Sequence, residues 1–194
     1  MNVKYQVFVS STYDDLRKER EQVIKAVLEM GHIPVGMEMF SAADEEQWKL
    51  IARQIEQADY YVVIVAHRYG SVVDGLSYTE KEYDYAVLKG VPVLGFIIDD
   101  VAPWPAEKME ADQPKKYALD QFKAKLRMKP VGLWTSSEDL YGEGILGTPY
   151  LIIDMADIQQ GTLGTLILRV LFLDRENKGY TSFFSSKSKP EWRL

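Results

Sequence analysis

Unbroken apolar runs alternate with segments of helical period along most of this chain. The strongest runs are Tyr60-Tyr-Val-Val-Ile-Val-Ala66 and Val91-Pro-Val-Leu-Gly-Phe-Ile-Ile98. Continuous runs, unlike alternating ones, suit parallel strands covered by helices on both faces. Between them lie a polar loop, His67-Arg-Tyr-Gly-Ser71, and a helical segment, residues 77–86. Val3 to Ser10 predicts a strand, and Ser11 or Thr12 can cap a following helix with Asp14 and Asp15 in its first turn. Leu16, Val23, Ile24, Val27 and Leu28 keep the helical period up to Gly31, which leaves Arg17 to Glu21 as its solvated side. Ile33 to Met39 is a short strand carrying Pro34, hence an edge strand. Asp44 with Gln47 resembles a capping box for a helix that buries Trp48, Ile51, Ile55 and Ala58.

After Ile98 an acidic, proline-bearing surface loop runs to Asp112. Pro114 then suits the first turn of a helix carrying Tyr117, Ala118, Phe122 and Leu126 inward, and Pro130 to Thr135 gives a fifth strand. Strand and helix thus alternate into a doubly wound α/β domain, a parallel five-stranded sheet of flavodoxin-like type, over residues 1–140. Residues 141–194 form a C-terminal extension, packed on the core or serving a subunit contact. Within it Tyr150 to Met155 and Leu163 to Leu173 are apolar enough for strands, or for a helix in the second case, and the chain from Asp174 onward is polar.

In open α/β sheets ligands bind at the carboxyl edge, where the strand order reverses. The turn Ser10-Ser11-Thr12 and the segment Arg68-Tyr69-Gly70 are expected at that edge, on neighbouring strands. Hydroxyls and backbone N–H groups there can hold a phosphate, although capping alone also explains them. Arg68 suits a phosphate or carboxylate, with an ion pair to Glu82 as the alternative; Tyr69 suits stacking on a base. Ser77 with Glu80, and Thr79 with Glu82, are two capping boxes of which a single helix uses one. If Ser77 caps, Glu82 is released from that duty and shares a face with Tyr78, Tyr85 and Ala86. Such a carboxylate can stabilise or attack an oxocarbenium-like centre during N-glycosidic cleavage.

Charge narrows the partners. A formal charge of -6 and a pI near 5.1 argue against nucleic acid or an acidic membrane as partner. With no cysteine and two histidines, His32 and His67, neither disulfides nor a Cys- or His-rich metal site is expected. No basic region followed by a long apolar stretch opens the chain, and Leu163 to Leu173 is broken by Arg169 and too short to span a bilayer. The expected location is the cytoplasm.

Four stretches carry a resemblance: Val-Phe-Val-Ser-Ser-Thr-Tyr-Asp-Asp-Leu (7–16), Ala-Asp-Tyr-Tyr-Val-Val-Ile-Val (58–65), Arg-Tyr-Gly-Ser (68–71) and Ser-Tyr-Thr-Glu-Lys-Glu-Tyr-Asp-Tyr-Ala (77–86). They closely resemble the family called domain of unknown function 4062, which is similar to TIR domains and is often found ahead of NTPase modules in prokaryotic conflict and signalling proteins. TIR domains carry an NAD-cleaving glutamate at the start of the helix after the third strand, four residues before a small residue; Glu82 before Ala86 fits that slot. Nucleoside deoxyribosyltransferases place a catalytic glutamate similarly. Tyr78-Thr79 stands where many TIR domains have Trp-Cys. The resemblance implies a TIR-like antiphage-defence or signalling domain that binds a nucleotide, with Glu82 catalytic and Ser10, Ser11, Thr12, Arg68, Tyr69, Gly70 and Tyr78 contacting ligand. NAD then enters as substrate of a nucleosidase, without a separate cofactor. It equally implies a non-catalytic module that self-associates or docks a TIR-like or NTPase partner, and a nucleoside hydrolase or deoxyribosyltransferase is the third alternative.

Overall fold

The computed structural model describes residues 4–36, 44–142, 168–173 and 179–184. The chain divides into two compact units, Met1–Leu146 and Gly147–Leu194. In the first, β1 (Gln6–Ser11), β2 (Ile33–Val35), β3 (Tyr60–Val65), β6 (Val93–Ile98) and β7 (Val131–Trp134) form one parallel sheet in the order β2-β1-β3-β6-β7. The order reverses between β1 and β3, as in flavodoxin-like doubly wound sheets. Ser10 stands opposite Val63 and Ser11 opposite Ile64, so the carboxyl ends of these strands are adjacent.

Six consecutive buried residues make β3, since both sheet faces are covered. On one face Phe8, Tyr61, Val63, Val65 and Ile97 pack with Ile51 and Ile55 of α2 (Asp44–Gln57), Tyr83 and Ala86 of α3 (Tyr78–Leu88), and Leu119, Phe122 and Leu126 of α4 (Gln113–Leu126). The rings of Phe8 and Tyr61 stack at 5.7 Å, locking β1 to β3 on this face. Alternation sends Val7, Val9, Val62 and Ile64 to the other face, where α1 (Arg17–Glu29) contacts β1 and β2 and buries Val23, Ala26 and Val27. Each fully buried Ile or Leu contributes about 1.5–3 kcal/mol, and this two-sided burial holds the strand ends in fixed register.

Several elements differ from the pattern-based expectation. Helix α1 begins at Arg17, not after Ser11 or Thr12, and Leu16 at its N-cap makes no side-chain cap bond. The Ser11 hydroxyl donates to Thr12 O at 2.9 Å, and the bends through residues 13–16 drive Leu16 into the core and bury Asp15. Glu19 and Arg20, expected in solvent, are 6 % and 5 % exposed because that face of α1 turns to the strand ends. In α4, capped by Asp112, Leu119 is buried beside Phe122 and Leu126, while Tyr117 is exposed. The loop before α3 holds an unpredicted hairpin, β4 (Val72–Val73) and β5 (Leu76–Ser77), turned by Asp74 and Gly75 at φ of 54° and 87°. Strand β2 stops at Val35; residues 37–39 of the expected strand lie outside the described ones. The short α5 (Ser137–Asp139) closes the first unit, capped by Ser136.

In the second unit β8 (Leu168–Leu173) and β9 (Gly179–Phe184) pair antiparallel from Leu168–Phe184 to Leu173–Gly179. Leu168 to Leu173 is thus a strand and not a helix, and the polar tail after Asp174 contains its partner strand. The expected strand Tyr150 to Met155 lies outside the described residues. Among the described residues no helix is long and apolar enough to cross a membrane.

Candidate functional site

Two loops meet above the reversal of strand order, one after β1 and one after β3. Their contact requires a glycine. Gly70 has φ of +88°, and a Cβ there would stand 2.9 Å from Thr12 Cγ2. The left-handed backbone and the close approach both exclude a larger residue. Around this contact opens a cleft of 380 Å³ lined by Ser11 to Asp15, Arg68, Gly70, Ser71, Tyr78, Thr79, Glu110 and Lys115.

Five of the residues expected to touch ligand, Ser11, Thr12, Arg68, Gly70 and Tyr78, are therefore together on its walls. Two cations stand at the rim in fixed positions. Arg68 Nη2 donates to Glu107 O at 3.0 Å, and Lys115 Nζ donates to Gly70 O at 3.1 Å. The 99–112 loop adds a third latch, Lys108 Nζ to Asp15 O at 2.7 Å, and Glu110 N donates to His67 O at 2.8 Å. Arg68 is not the ion-pair partner of Glu82 that its sequence position allowed: its guanidinium reaches the 99–112 loop instead.

Tyr69 is placed differently. It is 3 % exposed, its hydroxyl donates to Glu80 Oε2 at 2.6 Å, and its ring borders an adjoining void of only 10 Å³. Burial, and the bond to Glu80, raise its phenol above the ordinary range. The aromatic residues lining the cleft are Tyr13 and, of those expected to touch ligand, Tyr78. Glu80 in turn is held by Lys125 Nζ at 2.6 Å, and the same ammonium reaches Asp84 at 2.9 Å. This network ties α3 to α4 and holds Glu80 away from the cleft.

Ser77 caps α3: its Oγ accepts from Glu80 N at 3.1 Å, so Thr79 and Glu82 are not engaged as a capping box. Glu82 projects from the second turn toward the end of β1, where Ser10 Oγ donates to its Oε2 at 2.5 Å. Both residues are buried, at 1 % and 2 % exposure, and neither borders the cleft. Tyr61 lies against them; burial first, then the Glu82 charge, push its phenol well above normal. Arg20 Nη1 reaches Ser11 Oγ at 3.3 Å from the other face of the strand ends. Ser10 and Glu82 thus form a polar brace behind the cleft wall.

Seven wall residues were not singled out by sequence as ligand contacts, and Asp15 is the most deeply buried of them. Asp15 is 1 % exposed, lines the cleft, and neither carboxylate oxygen has a hydrogen-bond partner. Thr12 Oγ1 beside the same cleft is likewise unpartnered. Burial raises the Asp15 pKa above its usual 3.8, tempered by the nearby Thr12 hydroxyl and by the charges of Arg68 and Lys108. An Asp two residues after Tyr13 reads as a helix-start acid; only the late start of α1 turns it inward. Among the described residues no group of three or more His, Asp or Glu side chains is placed to hold a metal ion.

Comparison with solved structures finds similar folds at low identity, among them the following three. TIR domains in the structure of the activated Roq1 resistosome directly recognizing the pathogen effector XopQ are 18 % identical, with a TM-score of 0.43, over 64 % of this chain and 74 % of that one. A prokaryotic SEFIR domain is 13 % identical, with a TM-score of 0.38, over 64 % and 91 %. A flavodoxin, the WrbA-like protein from Agrobacterium tumefaciens, is 15 % identical, with a TM-score of 0.36, over 75 % and 92 %. No curated protein matches the sequence. A family description, Domain of unknown function (DUF4062), matches residues 6–143, the whole sheet with its cleft, and the chain belongs to that family.

Proposed function

We propose that the domain binds a nucleotide in the cleft at the carboxyl ends of β1 and β3 and acts as a TIR-like signalling domain. The supporting observation is the cleft itself: 380 Å³ over the strand-order reversal, with Arg68 and Lys115 at the rim, Tyr78 on one wall, and hydroxyls between. Cations on fixed anchors suit phosphates, and an aromatic wall suits a base. The mixture of cations with Asp14, Asp15 and Glu110 favours a ligand bearing both anionic groups and hydrogen-bond donors over a simple anion.

Cleavage of the N-glycosidic bond of NAD is the reaction for which Glu82 is suited. It requires the carboxylate to reach the ribose carbon, and hence a rearrangement of the Ser10–Glu82 brace when ligand binds. Titration of the protein with NAD by calorimetry, alongside chromatographic assay of nicotinamide release, tests both levels. Saturable binding weakened about tenfold by Arg68→Ala supports the nucleotide reading. Nicotinamide release that Glu82→Gln abolishes assigns the catalytic role; equal release by both proteins removes it. Absence of binding by AMP, GMP and NAD alike overturns the nucleotide reading.

The burial of Glu82 favours a second reading, a non-catalytic module in which the acid only braces the core and the domain self-associates or docks a TIR-like or NTPase partner. Sedimentation with and without NAD separates the two. A monomer at every concentration, without added partner, counts against assembly.

A further inference from the structure

Among the described residues several buried polar groups near the cleft are used. Glu80 has Tyr69 and Lys125, Ser77 caps α3, and Glu82 has Ser10. Asp15 and its neighbour Thr12 line the cleft without such partners: both Asp15 carboxylate oxygens are shielded from solvent, and neither accepts a hydrogen bond. A buried carboxylate without donors is costly, because its lost hydration is not replaced. Arg68 and Lys108 offset part of the charge at a distance, but Lys108 spends its short contact on the Asp15 backbone carbonyl and Arg68 on Glu107. The bends at residues 13–16 hold the side chain there, and Leu16, fully buried, fixes them.

We infer that Asp15 is the ligand-recognition acceptor of this cleft, and that it takes a pair of adjacent hydroxyl donors, the cis-diol of a ribose. The inference rests on the nucleotide reading above and names the part of the ligand that the reading left open. Two acceptor oxygens on one carbon match two donors on neighbouring atoms, and a ribose diol and a guanine edge both present such a pair. The diol is the better fit because it is common to nucleotides whose phosphate reaches Arg68 or Lys115 and whose base reaches Tyr78, all three on the same cleft. The unpartnered Thr12 Oγ1 on the same wall offers one further hydroxyl contact.

The test measures affinity for AMP, 2′-deoxy-AMP, GMP and 2′-deoxy-GMP in the wild type and in Asp15→Asn, together with the Tm of both proteins without ligand. A site built to accept from hydroxyls rejects the analogue lacking one by about tenfold or more. Expected are ribose preference for both bases in the wild type, its loss in Asp15→Asn, and a ligand-free Tm for the variant equal to or above wild type. The unchanged or raised Tm is what a binding carboxylate kept at a cost to stability gives; a structural carboxylate gives a lower one. A lowered Tm, or an Asp15→Asn protein that keeps the ribose preference, overturns the assignment of Asp15 and leaves nucleotide binding standing. Preference for GMP and dGMP alike over AMP overturns the diol in favour of a guanine edge. Wild-type protein that binds none of the four nucleotides, nor NAD, overturns both readings together.

Discussion

Ser10 Oγ donates to Glu82 Oε2 at 2.5 Å, joining the end of β1 to the second turn of α3 across 72 positions of sequence. Both residues are buried and neither lines the cleft, so contact of Glu82 with a ligand there would require this bond to open. Ser10→Ala removes a donor from a buried carboxylate without changing the cleft lining. The expected loss is about 1.5–3 kcal/mol, the usual worth of a hydrogen bond to a charged group. Urea unfolding measures it, and a loss below about 0.5 kcal/mol would show that the bond contributes nothing.

Tyr69 and Tyr78 make an opposed pair of predictions. Tyr69→Phe deletes the hydroxyl that donates to Glu80 at 2.6 Å inside the core, while Lys125 keeps its hold on the other oxygen. Stability should fall by about 1–2 kcal/mol and nucleotide affinity should not change. Tyr78→Ala removes the ring on the cleft wall. Loss of a base stack, worth about 1–3 kcal/mol, should weaken nucleotide binding tenfold or more with little effect on unfolding. If Tyr69→Phe instead impairs binding and Tyr78→Ala does not, the assignment of the two rings is reversed.

How much of this was legible in the sequence depends on whether the signal was local. The all-buried run of β3 and the helix that follows announce themselves, because continuous apolar runs and turn residues report on their own surroundings; the reversal of strand order was expected only through the fold class. Ser77 could be named as one of two candidate caps from spacing alone. The inward turn of Glu19 and Arg20 could not: charged residues on an amphipathic helix read as solvated unless one knows that other polar groups await them. The bond that buries the Tyr69 hydroxyl was hidden for the same reason, since its partner Glu80 lies on a different element. Asp15 was hidden by a start to α1 two residues after it, set by the burial of Leu16 and not by any capping residue. The Asp74-Gly75 turn, by contrast, carried a usable hairpin signal within a stretch that otherwise reads as loop.

Gly70 is the hinge of the cleft geometry, and its replacement has a built-in control. Gly70→Ala places a methyl 2.9 Å from Thr12 Cγ2 on a backbone with φ of +88°. The left-handed conformation alone costs about 1–2 kcal/mol, and the contact forces Thr12 to move. Both lower stability and weaken nucleotide binding. Gly75 has nearly the same φ, +87°, with nothing within 4 Å of an added Cβ. Gly75→Asn, which tolerates that backbone, should change stability by less than about 0.5 kcal/mol and leave binding intact. Equal effects of the two changes would mean that the Thr12 contact is irrelevant to the site.

The histidines set the acid side of the stability profile. Burial lowers His67 below its usual 6.5, helped by the Lys123 charge and opposed by Asp100; burial also lowers His32, against Asp59. A histidine with a lowered folded-state pKa binds fewer protons folded than unfolded between that value and 6.5. Stability therefore rises with pH through this window and is lost as pH falls below 6.5. Asp15 acts in the opposite sense, since its raised pKa favours the folded state as pH falls from above that value toward 3.8. Thermal unfolding between about pH 5.5 and 7.5 should show Tm falling on acidification, and His67→Gln should flatten the slope by its share. Asp15→Asn should steepen any part of the fall that the acid was offsetting. A Tm that climbs on acidification across the window in wild type but not in His67→Gln would mean that His67 is charged within the fold, which its burial beside Trp104 and the nearby Lys123 ammonium oppose.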